Sequence, residues 1–283
     1  MGRSMEACSV AELKEKARWM RRRIIEMTTR AGSGHPSSSL SEVEIMTALF
    51  FGGVMHYDSS DPSWSERDRL VLSKGHGCPA LYASLAEAGY FPFDWLDSLR
   101  QVGSPLEGHP NMRRCPGIEC STGSLGQGLS IACGQALAGK LDDIDYRVYT
   151  ILGDGECNEG QVWEAAMTAR QFGLDNLTAI IDHNKFQQTG NVFDIIDFRP
   201  FADKWRSFGW HAVEVDGHDV NEVLTRLREL RNFCEGPSVL IAHTVKGKGV
   251  SFVEADHTFH GKALTPAEQE RALEELGFSE VED

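Results

Sequence analysis

Short apolar runs alternate along this chain with stretches in which apolar positions return every three or four residues. Runs rich in β-branched and aromatic residues predict strands over 68–73 (DRLVLS), 146–152 (YRVYTIL), 177–182, 208–215 and 238–244 (SVLIAHT). Leu13, Ala17, Met20, Ile24 and Met27 follow a Ser9-to-Glu12 capping box at helical spacing. Further helices are predicted over 40–51, 80–88, 158–172 and 221–232, and from the glycine-rich segment 121–128 on to Leu141. A last, acidic helix and tail begin at a second capping box, Thr265 to Glu268, with Pro266 at the first helical position. Residues 90–101 are aromatic and amphipathic and read as packing, and 187–198 reads as a loop able to fold over a site. Strands alternating with helices predict an α/β fold, a parallel sheet with helices on both faces. No repeat, low-complexity linker or second-domain boundary stands out, so residues 1–283 are expected to form a single domain.

The most informative change of period lies between 146 and 184. A strand stops at Gly153-Asp154-Gly155, a helical stretch follows, and a second strand delivers Asn184. A βαβ unit makes the two strands parallel and adjacent, so Asp154 and Asn184 should share the carboxyl edge, where open α/β sheets bind ligands. One carboxylate and one amide suit a hard cation, Mg²⁺ or Ca²⁺, whose remaining ligands would come naturally from a diphosphate. Gly153 and Gly155 allow the backbone close to that anion, and a helix N-terminus beyond Gly155 would favour it. The bland alternative is a Gly-Asp-Gly turn that only caps a helix; Asn184 at the end of the next strand favours the cation.

Composition narrows the partners. A formal charge of −14 argues against a nucleic-acid surface, and no apolar run approaches a membrane span. The N-terminus lacks the apolar core of a signal peptide, and the seven cysteines show no CxxC pair, which reads as reduced thiols in a cytoplasmic protein. Arg21 to Arg23 are read as a solvated helix face.

Three histidines lie in Gly/Pro-bounded loops: Gly34-His35-Pro36, Gly75-His76-Gly77 and Gly108-His109-Pro110. Loops on a scaffold carry function, and three such placements point to a shared site. His218, in the turn Asp216-Gly217-His218-Asp219, reads as a turn residue as readily as a functional one. Gly126, Gly128, Gly134 and Gly139 cost helix stability and imply another backbone or a ligand close by. Gly123, Gly126 and Gly128 have the order G-x-x-G-x-G without a clear preceding strand, which disfavours a dinucleotide-binding dehydrogenase. Lys246-Gly247-Lys248-Gly249 at the end of the last strand suits a phosphate, and His260-Gly261-Lys262 follows.

Taken together, Ser33-Gly34-His35-Pro36, Lys74-Gly75-His76-Gly77, Gly108-His109-Pro110, Gly153-Asp154-Gly155 to Asn184, and His260-Gly261 resemble the thiamine-diphosphate-binding part of transketolase, in the family's order and over nearly the whole chain. Lys74, Lys246 and Lys262 make it more similar to the animal-type enzymes and split bacterial subunits than to the yeast type. The resemblance implies that Asp154, Asn184 and the carbonyl of Phe186 hold Mg²⁺ or Ca²⁺. It implies that Gly153, Gly155, His76, His260 and Lys246 surround the cofactor diphosphate. Gly123, Ser124 and Leu125 would meet the aminopyrimidine region, with Ser38, Asp182 and Gln188 as further cofactor contacts. Glu159 would join a carboxylate network between two active sites. His35, His109 and His260 would line the substrate and assist proton transfer. Ser124 departs from the proline of many full-length members, and His183 occupies a variable position. The pyrimidine-binding and C-terminal domains of a full transketolase would lie on a separate chain. The expectation is thus the N-terminal subunit of a two-chain transketolase, a heterotetramer acting on sugar phosphates. A branched or sulfonated sugar, or a non-catalytic scaffold subunit, stands as the alternative.

Overall fold

The computed structural model describes residues 7–278; the acidic tail read at 279–283 lies outside them. Strands β1 (Arg69–Leu72), β2 (Val148–Gly153), β3 (Leu177–His183), β6 (His211–Asp216) and β7 (Ser238–His243) form a parallel sheet in the order β1-β2-β3-β7-β6. A two-residue pair, β4 (Phe186–Gln187) and β5 (Gly190–Asn191), stands apart. The apolar runs of β2, β3 and β7 are buried on both faces, which is why they do not alternate.

One layer holds α1 (Val10–Ala31), α2 (Pro36–Leu40), α3 (Val43–Phe51) and α4 (Cys78–Glu87). With α9 (Val220–Arg231) and α10 (Pro266–Glu275) they share a core with Leu70, Tyr149, Ile151, Ile180 and Leu240. On the other face α5 (Gly128–Leu141), α6 (Gly160–Gln171) and α8 (Phe201–Ser207) pack on Val71, Val148, Leu152, Ala179 and Ile241. Helix α7 (Val192–Ile195) is a single turn beside β5. Both expected capping boxes form, Ser9 with Glu12 and Thr265 with Glu268.

The differences from the sequence reading have local causes. The helix expected over 40–51 breaks at Ser41 and Glu42, whose side chains turn inward towards Asp182 and Lys74. The helix expected from 158 starts at Gly160, because Glu159 is an extended cap after a 3₁₀ turn, Gly155–Asn158. A strand does not begin at Phe208, since Gly209 (φ +80°) closes α8 before His211. Residues 90–101 pack as expected, with Phe91 stacked on Trp95 and Phe93 edge-on to Trp19. The loop 187–198 holds β5 and α7. Gly128 meets the close-approach expectation, since a Cβ there would lie 2.4 Å from Ser73, whereas Gly134 faces open space. Arg21 corrects the solvated-face reading: it is buried and paired through Nη2 with both carboxylate oxygens of Glu44 at 2.7 and 2.8 Å.

Candidate active site

The register Gly153↔Asp182 sets β2 and β3 side by side, so the turn after one strand faces the turn after the other. There Asp154 Oδ2 accepts from Lys185 N–H (2.6 Å) and lies 2.9 Å from His183 Nδ1, while Oδ1 accepts from Gly155 N–H (2.7 Å). Asn184 donates from Nδ2 to Asp182 Oδ2 (2.9 Å), and its Oδ1 accepts from Phe186 N–H (3.1 Å). The expected neighbourhood of Asp154, Asn184 and Phe186 is therefore present. Helix support at Gly155 is weaker than expected, because only a short 3₁₀ turn starts there.

A cleft of about 460 Å³ opens over this edge. Gly153, Asp154, Gly155, Asn184 and Phe186 line it together with Ser38, Lys246 and the four histidines 35, 76, 109 and 260. Gly123, Leu125, Glu159 and Gln188 line it as well. Ser124 and Asp182 do not. Ser124 is exposed beside the cleft, and Asp182 is fully buried beneath it, reaching it only through Lys74 and Asn184. The histidine loops, far apart in sequence, converge: the His35 ring centroid lies 5.2 Å from His76, 5.4 Å from His260 and 6.4 Å from His109. Gly75 permits the approach, since a Cβ there would lie 2.9 Å from the Gly123 backbone.

Two buried lysines sit under the cleft in different states. Lys74 Nζ lies 2.5 Å from Asp182 Oδ2 and 3.3 Å from Glu42 Oε2, and donates to the Ser38 carbonyl. Burial alone would lower its pKa, but Asp182 and Glu42 raise it. Lys246 lacks a carboxylate partner among the described residues and is held by Ser38 Oγ (2.9 Å) and His260 Nδ1 (3.0 Å). Burial, then the charge of Lys74, brings its pKa down to about 8. His35 falls to about 4 by burial and the nearby Arg100, and His260 to about 3 by burial and Lys246. His76 and His109 shift downward too, again first by burial. The histidines are therefore neutral in the free cleft rather than titrating near pH 7. His260 accepts from Lys246 at Nδ1, so its proton sits on Nε2. The Nδ1 of His35 is buried with no hydrogen-bond partner among the described residues, as expected of a group awaiting a ligand.

The donor set fits a hard cation. Asp154 is a buried carboxylate with no lysine or arginine side chain paired to it among the described residues, and the Asn184 amide oxygen and Phe186 carbonyl complete an oxygen set. No group of three His, Cys, Asp or Glu side chains forms a metal cage among the described residues, and a set with a single carboxylate would not make one.

Sequence reasoning missed Glu156. Its buried carboxylate gathers three segments, accepting from Gly126 N–H (2.9 Å), Gly153 N–H (3.0 Å) and Ser73 Oγ, and thereby fixes the glycine turns on both sides of the cleft. Asn158, Gln187, Thr189, Ile195 and Ile196 were also missed as lining residues. The position of 187–198, read as a loop over the site, was the one available signal.

Comparison with known proteins agrees with this geometry. A family model described as transketolase, thiamine diphosphate binding domain, matches residues 13–283. The 6-deoxy-6-sulfo-D-fructose transketolase subunit SqwG of Clostridium sp. (strain MSTE9) is 46% identical, over 94% of this chain and 96% of that protein. An apulose-4-phosphate transketolase subunit from Actinobacillus succinogenes is 43% identical, over 95% and 97% respectively. Human transketolase is 43% identical over 95% of this chain but 42% of its own length. The crystal structure of transketolase from Campylobacter jejuni superposes with a TM-score of 0.91 at 31% identity, covering 96% of this chain and 44% of that one. This chain thus spans nearly all of the named subunits and less than half of the full-length enzymes. Among the described residues, no helix is long and apolar enough to cross a membrane.

Proposed function

Because the chain belongs to the transketolase family, through its thiamine-diphosphate-binding domain, we propose that it is the N-terminal subunit of a two-chain transketolase. In this reading it transfers a two-carbon ketol unit from a ketose phosphate to an aldose acceptor. The observation that carries the reading is the convergence of Asp154, Asn184, Lys246 and four histidines on one cleft.

When bound, thiamine diphosphate supplies the carbon nucleophile that adds to a ketose carbonyl and holds the resulting negative charge. Asp154, Asn184 and the Phe186 carbonyl would hold Mg²⁺ or Ca²⁺. Lys246, His76 and His260 would face the diphosphate, with Ser38 supporting Lys246, and Gly155 N–H would have to leave Asp154 Oδ1 to join them. Gly123 and Leu125 border the space for the aminopyrimidine ring, Ser124 and Gln188 flank it, and Asp182 acts from below through Lys74. Glu159, at the N-cap of α6, is exposed and available to a carboxylate network between active sites. His35 and His109, as neutral rings, each offer one donor and one acceptor to the hydroxyls of a sugar and can take a hydroxyl proton as it is transferred, whereas His260, whose Nδ1 accepts from Lys246, offers its Nε2–H as a donor.

A partner chain would supply the remainder of the active site. Support comes from the two relatives named as subunits, which this chain covers almost end to end. A heterotetramer follows if two such pairs share a two-fold axis, as symmetric oligomers commonly do. Those same names favour a sulfonated or branched sugar over the pentose phosphates as substrate. The intact histidine cluster argues against a non-catalytic scaffold. A cytoplasmic setting fits seven free thiols.

The test is purification of the chain with its partner, followed by a screen of ketose phosphates, sulfonated ketoses and branched ketose phosphates as donors. Activity with one of them in the presence of thiamine diphosphate and Mg²⁺ is expected, and Asp154→Ala should abolish both that activity and cofactor binding by calorimetry. Full activity of the Asp154→Ala complex would refute the reading.

A further inference from the structure

Two residues without a role in the cleft, His218 and Arg21, meet behind it. His218, in the turn after β6, points its Nδ1 at Glu44 Oε2 (3.0 Å) and accepts at Nε2 from Val245 N–H (2.8 Å). Glu44, on α3, is also gripped by Arg21 from α1, whose Nε donates to the Lys248 carbonyl (3.1 Å). The two ends of the segment 245–248 are thereby tied, Val245 to the turn after β6 and Lys248 to α1, and Glu44 of α3 joins the two ties. Between those ties Gly247 N–H bonds the Ser37 carbonyl, and the Lys246 carbonyl accepts from Ala255 N–H. Of this segment, Lys246 lines the cleft, its Nζ held there by Ser38 and His260.

The chemistry of the cluster is self-consistent. Burial works against ionised Glu44, but Arg21 and His218 outweigh it and hold the carboxyl below its usual range. An acceptor Nε2 puts the imidazole proton on Nδ1, where it is donated to Glu44. A buried ion pair of this kind contributes little net stability over apolar packing, so its value lies in fixing geometry.

We propose that Arg21, Glu44 and His218 are positioning residues that buckle the Lys246 loop from behind and so set the affinity of the cleft for the diphosphate of its cofactor. This rests on Lys246 being a diphosphate ligand. A lysine is a point charge on a flexible stem, and its contribution depends on where its backbone is held. His218 reaches the cofactor only through that backbone, so its effect must vanish once Lys246 is gone.

A double-mutant cycle tests this on the full chain with its partner, reading the dissociation constant of thiamine diphosphate with Mg²⁺ by calorimetry. His218→Phe removes both hydrogen bonds and is expected to weaken binding about tenfold, equivalent to about 1.4 kcal/mol. His218→Gln, which keeps an acceptor for Val245, should recover most of that loss, and the KM for the sugar donor should stay unchanged. In a Lys246→Met background, His218→Phe should add nothing. Arg21→Lys, which keeps the charge beside Glu44 but loses the tie to Lys248, gives the same readout if the phenylalanine variant does not fold. Equal loss in both backgrounds would reduce the cluster to general stability and overturn the proposal. If Lys246→Met weakens binding and His218→Phe does not, the buckle alone fails; if Lys246→Met has no effect, the assignment of Lys246 fails and the buckle with it.

Discussion

Glu42→Gln probes the charge balance on which the cleft floor rests. Glu42 and Asp182 are both fully buried and share one ammonium, Lys74. Asp182 holds the better position, 2.5 Å from Lys74 Nζ, with Ser41 (2.6 Å), Asn184 (2.9 Å) and Thr244 also donating to it. Burial would raise its pKa, but Lys74, then Ser41 and Thr244, bring it to about 2. Glu42 has Lys74 at 3.3 Å and no hydrogen-bond partner among the described residues. Burial therefore dominates and pushes it up from 4.5 to about 8. A carboxyl raised on folding is protonated in the native state and ionised in the unfolded chain between those two values, so stability falls as pH rises through that window. At 1.36 kcal/mol per unit, the loss is about 3 kcal/mol by pH 7 and about 5 kcal/mol above pH 8. Glutamine keeps the shape without the proton. Urea unfolding at pH 5.5, 6.5, 7.5 and 8.5, followed by tryptophan fluorescence, should show wild-type stability falling more steeply than the variant, by about 1.4 kcal/mol per pH unit up to about pH 7.5 and levelling off above about pH 8. Parallel curves would mean that Glu42 is ionised and that Lys74 bridges two charged carboxylates, contrary to the reasoning.

Two further outcomes follow from the same site. His183→Phe removes the side-chain donor to Asp154 Oδ2 while keeping an aromatic ring beside Phe193 and Phe201, and should weaken Mg²⁺ affinity about 10- to 100-fold in a metal titration of the cofactor-saturated complex; unchanged affinity would show that Lys185 N–H orients the carboxylate alone. Lys246, lowered to about 8, is half deprotonated at that pH in the free cleft and must recharge against a diphosphate, so calorimetry at pH 8 in buffers of different ionisation enthalpy should record proton uptake that Lys246→Met diminishes.

How much could be read from the chain depended on the range over which each signal acts. The pairing of Asp154 with Asn184 was legible because a βαβ unit fixes both the direction and the adjacency of its strands. The histidine loops were legible from their glycine and proline neighbours, although nothing in the sequence says that 35, 76, 109 and 260 meet. Illegible were the buried charges, whose partners lie far along the chain: Lys74 with Asp182, Glu156 with Ser73 and Gly126, His218 with Glu44. Arg21 was the exception, a signal present and passed over. It stands four residues after Ala17 and four before Ile25, both buried, so the helical period already placed it on the core face, where an arginine needs a carboxylate.

The cleft's electrostatics give a reason for its ligand to be an anion. The chain carries a net −14, yet Lys246 has no carboxylate partner among the described residues, and its pKa and those of the four histidines are lowered by burial and then by neighbouring cations, Arg100, Lys74 and Lys246 among them. Lys74 cannot answer an incoming negative charge, because Asp182 already neutralises it. Lys246 can, and its neighbour His260 gives up an acceptor position on Nδ1 to hold it. A bound diphosphate would act against the cationic part of these shifts, which comes second to burial, and would so move the pKa values upward. Cofactor binding and histidine protonation are then one linked equilibrium. The neutral imidazoles would then become better proton acceptors for sugar hydroxyls once the anion is in place, which would tie the acid–base capacity of the site to its occupancy.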